Sequence, residues 1–180
     1  LQIASRLKAQ TSGMAVAMRN TQNSTAMLQT AEGALDEVSN MLIRMKDLAT
    51  QAADTSSSTA DKASMQSEFD ALGTELGNVL KNTKFGGETL IVAGTIAGAM
   101  KFQIGADATE VMNITLTTDV AAIATDVGAA TASYAAGAPG TEISTAAGAT
   151  TSITSLTTAL ASVNKVRSSL GAAANRLEHV

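Results

Sequence analysis

From Leu28 to Ala52 the apolar positions fall at Leu28, Ala31, Leu35, Val38, Leu42, Met45, Ala49 and Ala52, in steps of three and four. That spacing puts them in one stripe along a helix, the pattern of a helix packed lengthwise against other long helices. Upstream, Met14, Met18, Thr21 and Thr25 keep the same register with weaker residues, so one helix is expected over residues 1–53. At 1.5 Å per residue such a helix is roughly 75 Å long, too long for a compact sphere. Gly13 and Gly33 interrupt it, each at about 1 kcal/mol relative to alanine in a helix interior. The C-terminal stretch ALASVNKVRSSLGAAANRLEHV repeats the stepping, and both ends of the chain stop in mid-pattern. The expectation is a piece of a longer protein.

Between these helices the pattern changes. Asp54 to Thr59, with three consecutive serines, offers a turn and capping hydroxyls. A second helix is expected over 59–81, with Met65, Phe69, Leu72, Leu76 and Val79 as its apolar stripe. Lys81-Asn82-Thr83 ends it, and Phe85-Gly86-Gly87 reads as a turn. Thr89–Val92, Met100–Ile104 and Val111–Leu116 are short and β-branched, which predicts strands, with GADATE as the hairpin connection between the last two. Residues 119–150 are rich in Ala, Thr, Ser and Gly and hold the only Pro and Tyr. They predict a weakly specified surface insert or a partly disordered loop. From about 151 a last helix carries Ile153, Leu156, Leu160, Val163, Val166, Leu170, Ala173 and Leu177. The fold class expected is α+β, mainly α: an elongated bundle of two N-terminal helices and one C-terminal helix, with a small β-hairpin region and a short outer insert. Its parts would be 1–118 (two helices and hairpin), 119–150 (insert) and 151–180 (the closing helix).

Composition narrows function mainly by exclusion. With 2% aromatic residues the core must be built from Leu, Met, Ala, Val and Ile, which lets helices approach closely. There is no cysteine, so no disulfide framework or thiolate metal site can form. No run of about 18 apolar residues suggests a transmembrane helix, and no signal peptide is visible. The formal net charge is −4, and between Lys101 and Lys165 the only charged residues are Asp107, Glu110, Asp119, Asp126 and Glu142. A face of that sign repels phosphate backbones, so nucleic acid is not an expected partner.

No arrangement suited to catalysis, cofactors or metal appears. The single histidine, His179, has no partner for acid–base or metal work and reads as a surface residue of the last helix. Asp36-Glu37 and Asp54…Asp61 read as solvated charges on helix faces or turns. Gly86-Gly87 lacks the lysine and the strand–turn–helix setting of a phosphate loop. The helical methionines fall mostly on the apolar stripe, which assigns them to packing.

Several words of the chain, in order, resemble bacterial flagellin: QTAEGALDEVSNMLIRMKDLATQA, SMQSEFDALGTELGNVLKNTKFGGETLI, FQIGADATEVMNITL and VNKVRSSLGAAANRLEH. Together they span most of the chain. The departure is central, where many flagellins carry one or two large outer domains and this chain has only residues 119–150. The resemblance implies a structural, non-enzymatic subunit of the motility filament, exported unfolded and assembled outside the cell into a homopolymer. It also implies an export chaperone and a filament cap as partners. The absence of cysteine suits passage through an export channel. In this family the extreme terminal helices line the inner tube, so the 180 residues by themselves are expected to be a non-polymerising core. The resemblance further implies innate immune recognition by the flagellin-sensing Toll-like receptor, through Arg44, Leu48 and Gln51 on the long helix and Glu68 on its neighbour. Ile43 departs from the polar residue usual before that arginine. Two other classes are weighed against this reading. A cell-surface adhesin would display 119–150 to glycans, and a coiled-coil signalling rod would lack the β-hairpin.

Overall fold

The computed structural model describes residues 1–179. Its elements are α1 (Gln2–Ala52), α2 (Thr59–Asn82), β1 (Lys84–Phe85), β2 (Glu88–Thr89), a 3-10 turn (Thr95–Ala97), β3 (Ala99–Gln103), β4 (Val111–Thr115), α3 (Thr117–Ala130), α4 (Ser133–Ala136) and α5 (Ala146–Glu178). This is the expected α+β architecture, dominated by long helices with small antiparallel hairpins between the second and last of them.

α1 and α5 lie side by side and antiparallel. Arg167 reaches Asp36, Asn164 reaches Ser39, and a Cβ placed at Gly171 would stand 3.4 Å from Glu32, so α5 climbs as α1 descends. α2 folds back along α1 after a tight turn. All eight stripe positions from Leu28 to Ala52 are fully buried in this seam. The upstream positions fare differently. Thr21 and Thr25 are half-buried, but Met14 and Met18 are exposed, Met18 at 64%, because only the β3–β4 hairpin approaches that length of α1, on the side of Gly13 and the buried Ala17.

The turn before α2 works as its serines suggested. Ser58 caps the helix in a reciprocal box: its hydroxyl accepts the Asp61 N–H at 3.0 Å, and the Asp61 carboxylate accepts the Ser58 N–H at 2.9 Å. On α2, Met65, Phe69 and Leu76 are buried as expected, whereas Leu72 and Val79 are only half-buried and Leu80 takes the inward place. Gly86 and Gly87 both have positive φ (61° and 85°), the requirement of a two-residue hairpin turn, and they join β1 to β2.

Three expectations are corrected. A strand over Thr89–Val92 does not form: pairing stops at Thr89, and Leu90 and Ile91 turn into the core. Their backbone is satisfied otherwise, with Leu90 N–H donating to the Thr83 carbonyl at 2.9 Å and Val92 N–H to the Leu80 carbonyl at 3.2 Å. Residues 119–150 are not a weakly specified insert. α3 buries Val120, Ile123, Val127 and Ala130 in the same three-four stepping and packs on α5, while Tyr134 and Ile143 are buried beyond it. The last helix starts at Ala146 instead of 151, because Thr145 caps it by accepting the Gly148 N–H at 3.1 Å. Its inner face includes Ala149, Ser152 and Ala159, with Ile153 and Leu160 at the margin.

Candidate recognition surface

The outer side of the α1–α2 pair carries the residues singled out from the sequence. Arg44 lies on α1 between buried Leu42 and Met45, and its side chain is directed outward. Glu68 sits on α2 just before buried Phe69. The helices bring the two together in a two-pronged ion pair: Arg44 Nε donates to Glu68 Oε1 at 2.9 Å and Nη2 to Oε2 at 3.1 Å. Both partners remain about half exposed, so solvent and salt screen the pair. The hydrogen bond to Glu68, followed by that carboxylate's charge, raises the guanidinium's pKa still further. The effect is a pre-ordered pair of opposite charges at the surface.

Gln51 is exposed two turns further on, and its backbone carbonyl accepts the Ser57 hydroxyl at 2.8 Å, which ties the end of α1 to the turn. Ile43 is exposed beside Arg44 and adds an apolar spot to the patch. Leu48 is the correction. Expected on the same outward face as Arg44 and Gln51, it is 2% exposed and belongs to the core. α1 is covered on two sides, by α5 and by α2, so its buried sector is wider than the single stripe, and Leu48 lies within it. The structure therefore pairs Arg44 with Glu68 at the surface, leaves Gln51 exposed about two turns along α1, and buries Leu48 in the core.

Sequence reading missed a second polar cluster, around Gln66. Gln66 is buried and bonds to Asp70, Glu142 and the backbone of Ile143. The signal was a glutamine directly beside Met65, within an apolar face. His179 is exposed at the end of α5, away from both clusters. Among the described residues no group of three or more His, Cys, Asp or Glu side chains is arranged to hold a metal ion. No described helix is long and apolar enough to cross a membrane.

Comparison with known proteins places this geometry. A family model for the bacterial flagellin N-terminal helical region matches residues 1–95. Flagellin C of Vibrio cholerae is 49% identical over 107 residues, covering 59% of this chain and 28% of that protein. Polar flagellin B/D of Vibrio parahaemolyticus is 45% identical over 116 residues, covering 64% of this chain and 30% of that protein. The chain thus spans less than a third of the length of these curated relatives. Among solved structures, Bacillus cereus flagellin superposes with a TM-score of 0.70 at 30% identity, over 90% of this chain and 86% of that one. A protein described as a flagellar hook-associated protein from Vibrio parahaemolyticus superposes with a TM-score of 0.74, over 96% of this chain and 85% of that one. At 17% identity it supports the fold alone. By its matched sequence and its helical architecture, the chain belongs to the bacterial flagellin family.

Proposed function

We propose that this chain is the core of a subunit of the bacterial flagellar filament, a structural protein that works outside the cell in motility. The observation that carries this reading is the family match across α1 and α2, in a rod where the matched stripe is the buried seam. A long rod is suited to stacking side by side with copies of itself, because each copy offers the same surface to the next. Copies of the same subunit are the principal partners, with an export chaperone and a filament cap acting before and during assembly. Electron microscopy of the full-length protein containing this chain tests the reading. Helical filaments under polymerising conditions are expected, and a persistently dispersed protein would contradict it. The adhesin reading is not favoured, because residues 119–150 are folded against α2 and α5 and are not held out as a displayed loop.

The Arg44–Glu68 patch is the part of the rod we assign to Toll-like receptor sensing, with Gln51 beside it. An exposed, pre-ordered arginine flanked by an apolar side chain is the composition of an interface hot spot. Leu48 acts there from beneath, by supporting the helix surface. Arg44→Ala removes a screened surface pair, so the melting temperature should stay within a few degrees of wild type. Receptor activation in reporter cells should fall at least tenfold, and Glu68→Ala should lower it more mildly. A wild-type protein that fails to activate the receptor at micromolar concentration would refute the assignment and leave the filament reading untouched.

A further inference from the structure

One side of α2 is shaped to hold a segment distant in the chain. Gln66, Asp70, Gly73, Gly77 and Lys81 follow one another in steps of four and three, so they share a helix face. Residues 131–143 lie along it. Gln66 is 6% exposed and has its amide occupied from both sides. Its Nε2 donates to Asp70 Oδ1 at 2.9 Å and Glu142 Oε1 at 3.0 Å, and its Oε1 accepts the Ile143 N–H at 2.7 Å. Asp70 Oδ1 also accepts the Gly140 N–H at 3.1 Å, and Glu142 Oε2 accepts the Ala132 N–H at 3.0 Å. At the other end Lys81 donates to the Tyr134 carbonyl and stands 4.2 Å from the centre of that ring.

Between these grips the segment packs closely on the two glycines, with side chains at Gly73 and with backbone at Gly77. A Cβ at Gly73 would lie 2.4 Å from Thr131 Oγ1, and one at Gly77 would lie 3.3 Å from the Tyr134 carbonyl oxygen. Thr131 and Thr145 are extended, and Gly137 is left-handed with φ 62°. The hold is therefore mostly side chain to backbone, with Tyr134 and Ile143 as its large apolar anchors. The seam of α1 with α5 is the opposite case, a continuous run of buried Leu, Val, Ala and Met.

Hydrogen bonds exchange with water at small net change in free energy, whereas buried apolar area does not. Segments held mainly by polar bonds open below the global unfolding free energy. We propose that residues 131–143 form a strap that leaves α2 as a unit while α1, α2 and α5 stay packed, uncovering the Gly73–Gly77 groove. The proposal is independent of the filament reading.

Amide hydrogen exchange by NMR on the 180-residue chain tests it, because the N–H groups of Gly140 and Ile143 are bonded to Asp70 and Gln66 of α2. In the wild-type protein these two should exchange at least tenfold faster than the amides of Leu35, Leu42 and Val163. Gln66→Ala should accelerate the strap amides at least tenfold more and leave those of α1 and α5 unchanged. Lys81→Met, which keeps the aliphatic stem and removes the ammonium, should accelerate the same amides more mildly. Equal exchange of strap and core in the wild type would overturn the proposal, as would parallel acceleration of both in Gln66→Ala. If Gln66→Ala does not fold, Lys81→Met decides: selective acceleration supports the strap, and uniform or absent acceleration rejects it.

Discussion

α1 is one continuous helix with two unlike halves. From Leu28 to Ala52 its apolar stripe is closed on two sides by α5 and α2, and every stripe residue is out of solvent. From Gln2 to Met18 the helix continues with Ile3, Leu7, Met14 and Met18, and all four are exposed. The two halves share a fold state and much of their pattern, so the difference isolates what a partner contributes. Helical hydrogen bonds are the same in both, but large apolar side chains are buried in only one, and in the other Ala17 alone is buried. In proteins most of a helix's stability comes from such packing, not from propensity.

Substitutions at matched positions measure that contrast. Leu42→Ala leaves a cavity in the closed half and should destabilise by about 2–5 kcal/mol in denaturant unfolding, whereas Leu7→Ala should change stability by less than about 0.5 kcal/mol. Equal effects would mean that the two halves are covered alike. The next effect concerns the cover itself. Ser58→Ala removes the hydroxyl that starts α2 and should destabilise by about 1 kcal/mol by the same measurement.

Glycines sharpen the comparison further. Gly33 lies in the closed half but faces open space, with nothing within 4 Å of an added Cβ, so Gly33→Ala should stabilise by about 0.5–1 kcal/mol. At Gly13 the added carbon would lie 2.9 Å from Ala106 Cβ at the hairpin tip, so Gly13→Ala should gain less than Gly33→Ala. The smallest effect is a dependence on pH at the turn into α2. Asp61 has its pKa lowered chiefly by the Ser58 backbone N–H, and Asp54 chiefly by the Ser56 hydroxyl. A carboxylate with a lowered folded-state pKa contributes stability above its unfolded pKa and loses it as pH falls through the folded value. Thermal unfolding should therefore show a slight loss of stability from about pH 4 downward, reduced in Asp61→Asn.

The sequence made some of this architecture readable and hid the rest for physical reasons. The Leu28–Ala52 stripe, the Ser58 cap and the Gly86-Gly87 turn rest on strong local signals: large apolar residues at helical spacing, a capping hydroxyl, and paired glycines. In α3 the same spacing is present at Val120, Ile123, Val127 and Ala130, but Ala and Thr on the other faces give little contrast between inside and outside. Its structure comes from packing on α5. Leu90 and Ile91 are β-branched or bulky in the manner of a strand, yet tertiary burial used them as core in a bend. Of the candidate recognition residues, Arg44, Gln51 and Glu68 are the exposed ones. Leu48 was misplaced because a helix covered by two neighbours buries more than one stripe. The Gln66 clasp depends on contacts 76 and 77 residues apart in sequence, which no local pattern encodes.

Residue-resolved hydrogen exchange along α1 tests the central contrast most directly. The account predicts that amides from Leu28 to Ala49 exchange only near the global unfolding free energy, and that protection falls steeply toward Gln2, with the change centred between Met18 and Leu28. Uniform protection from one end of α1 to the other would contradict it.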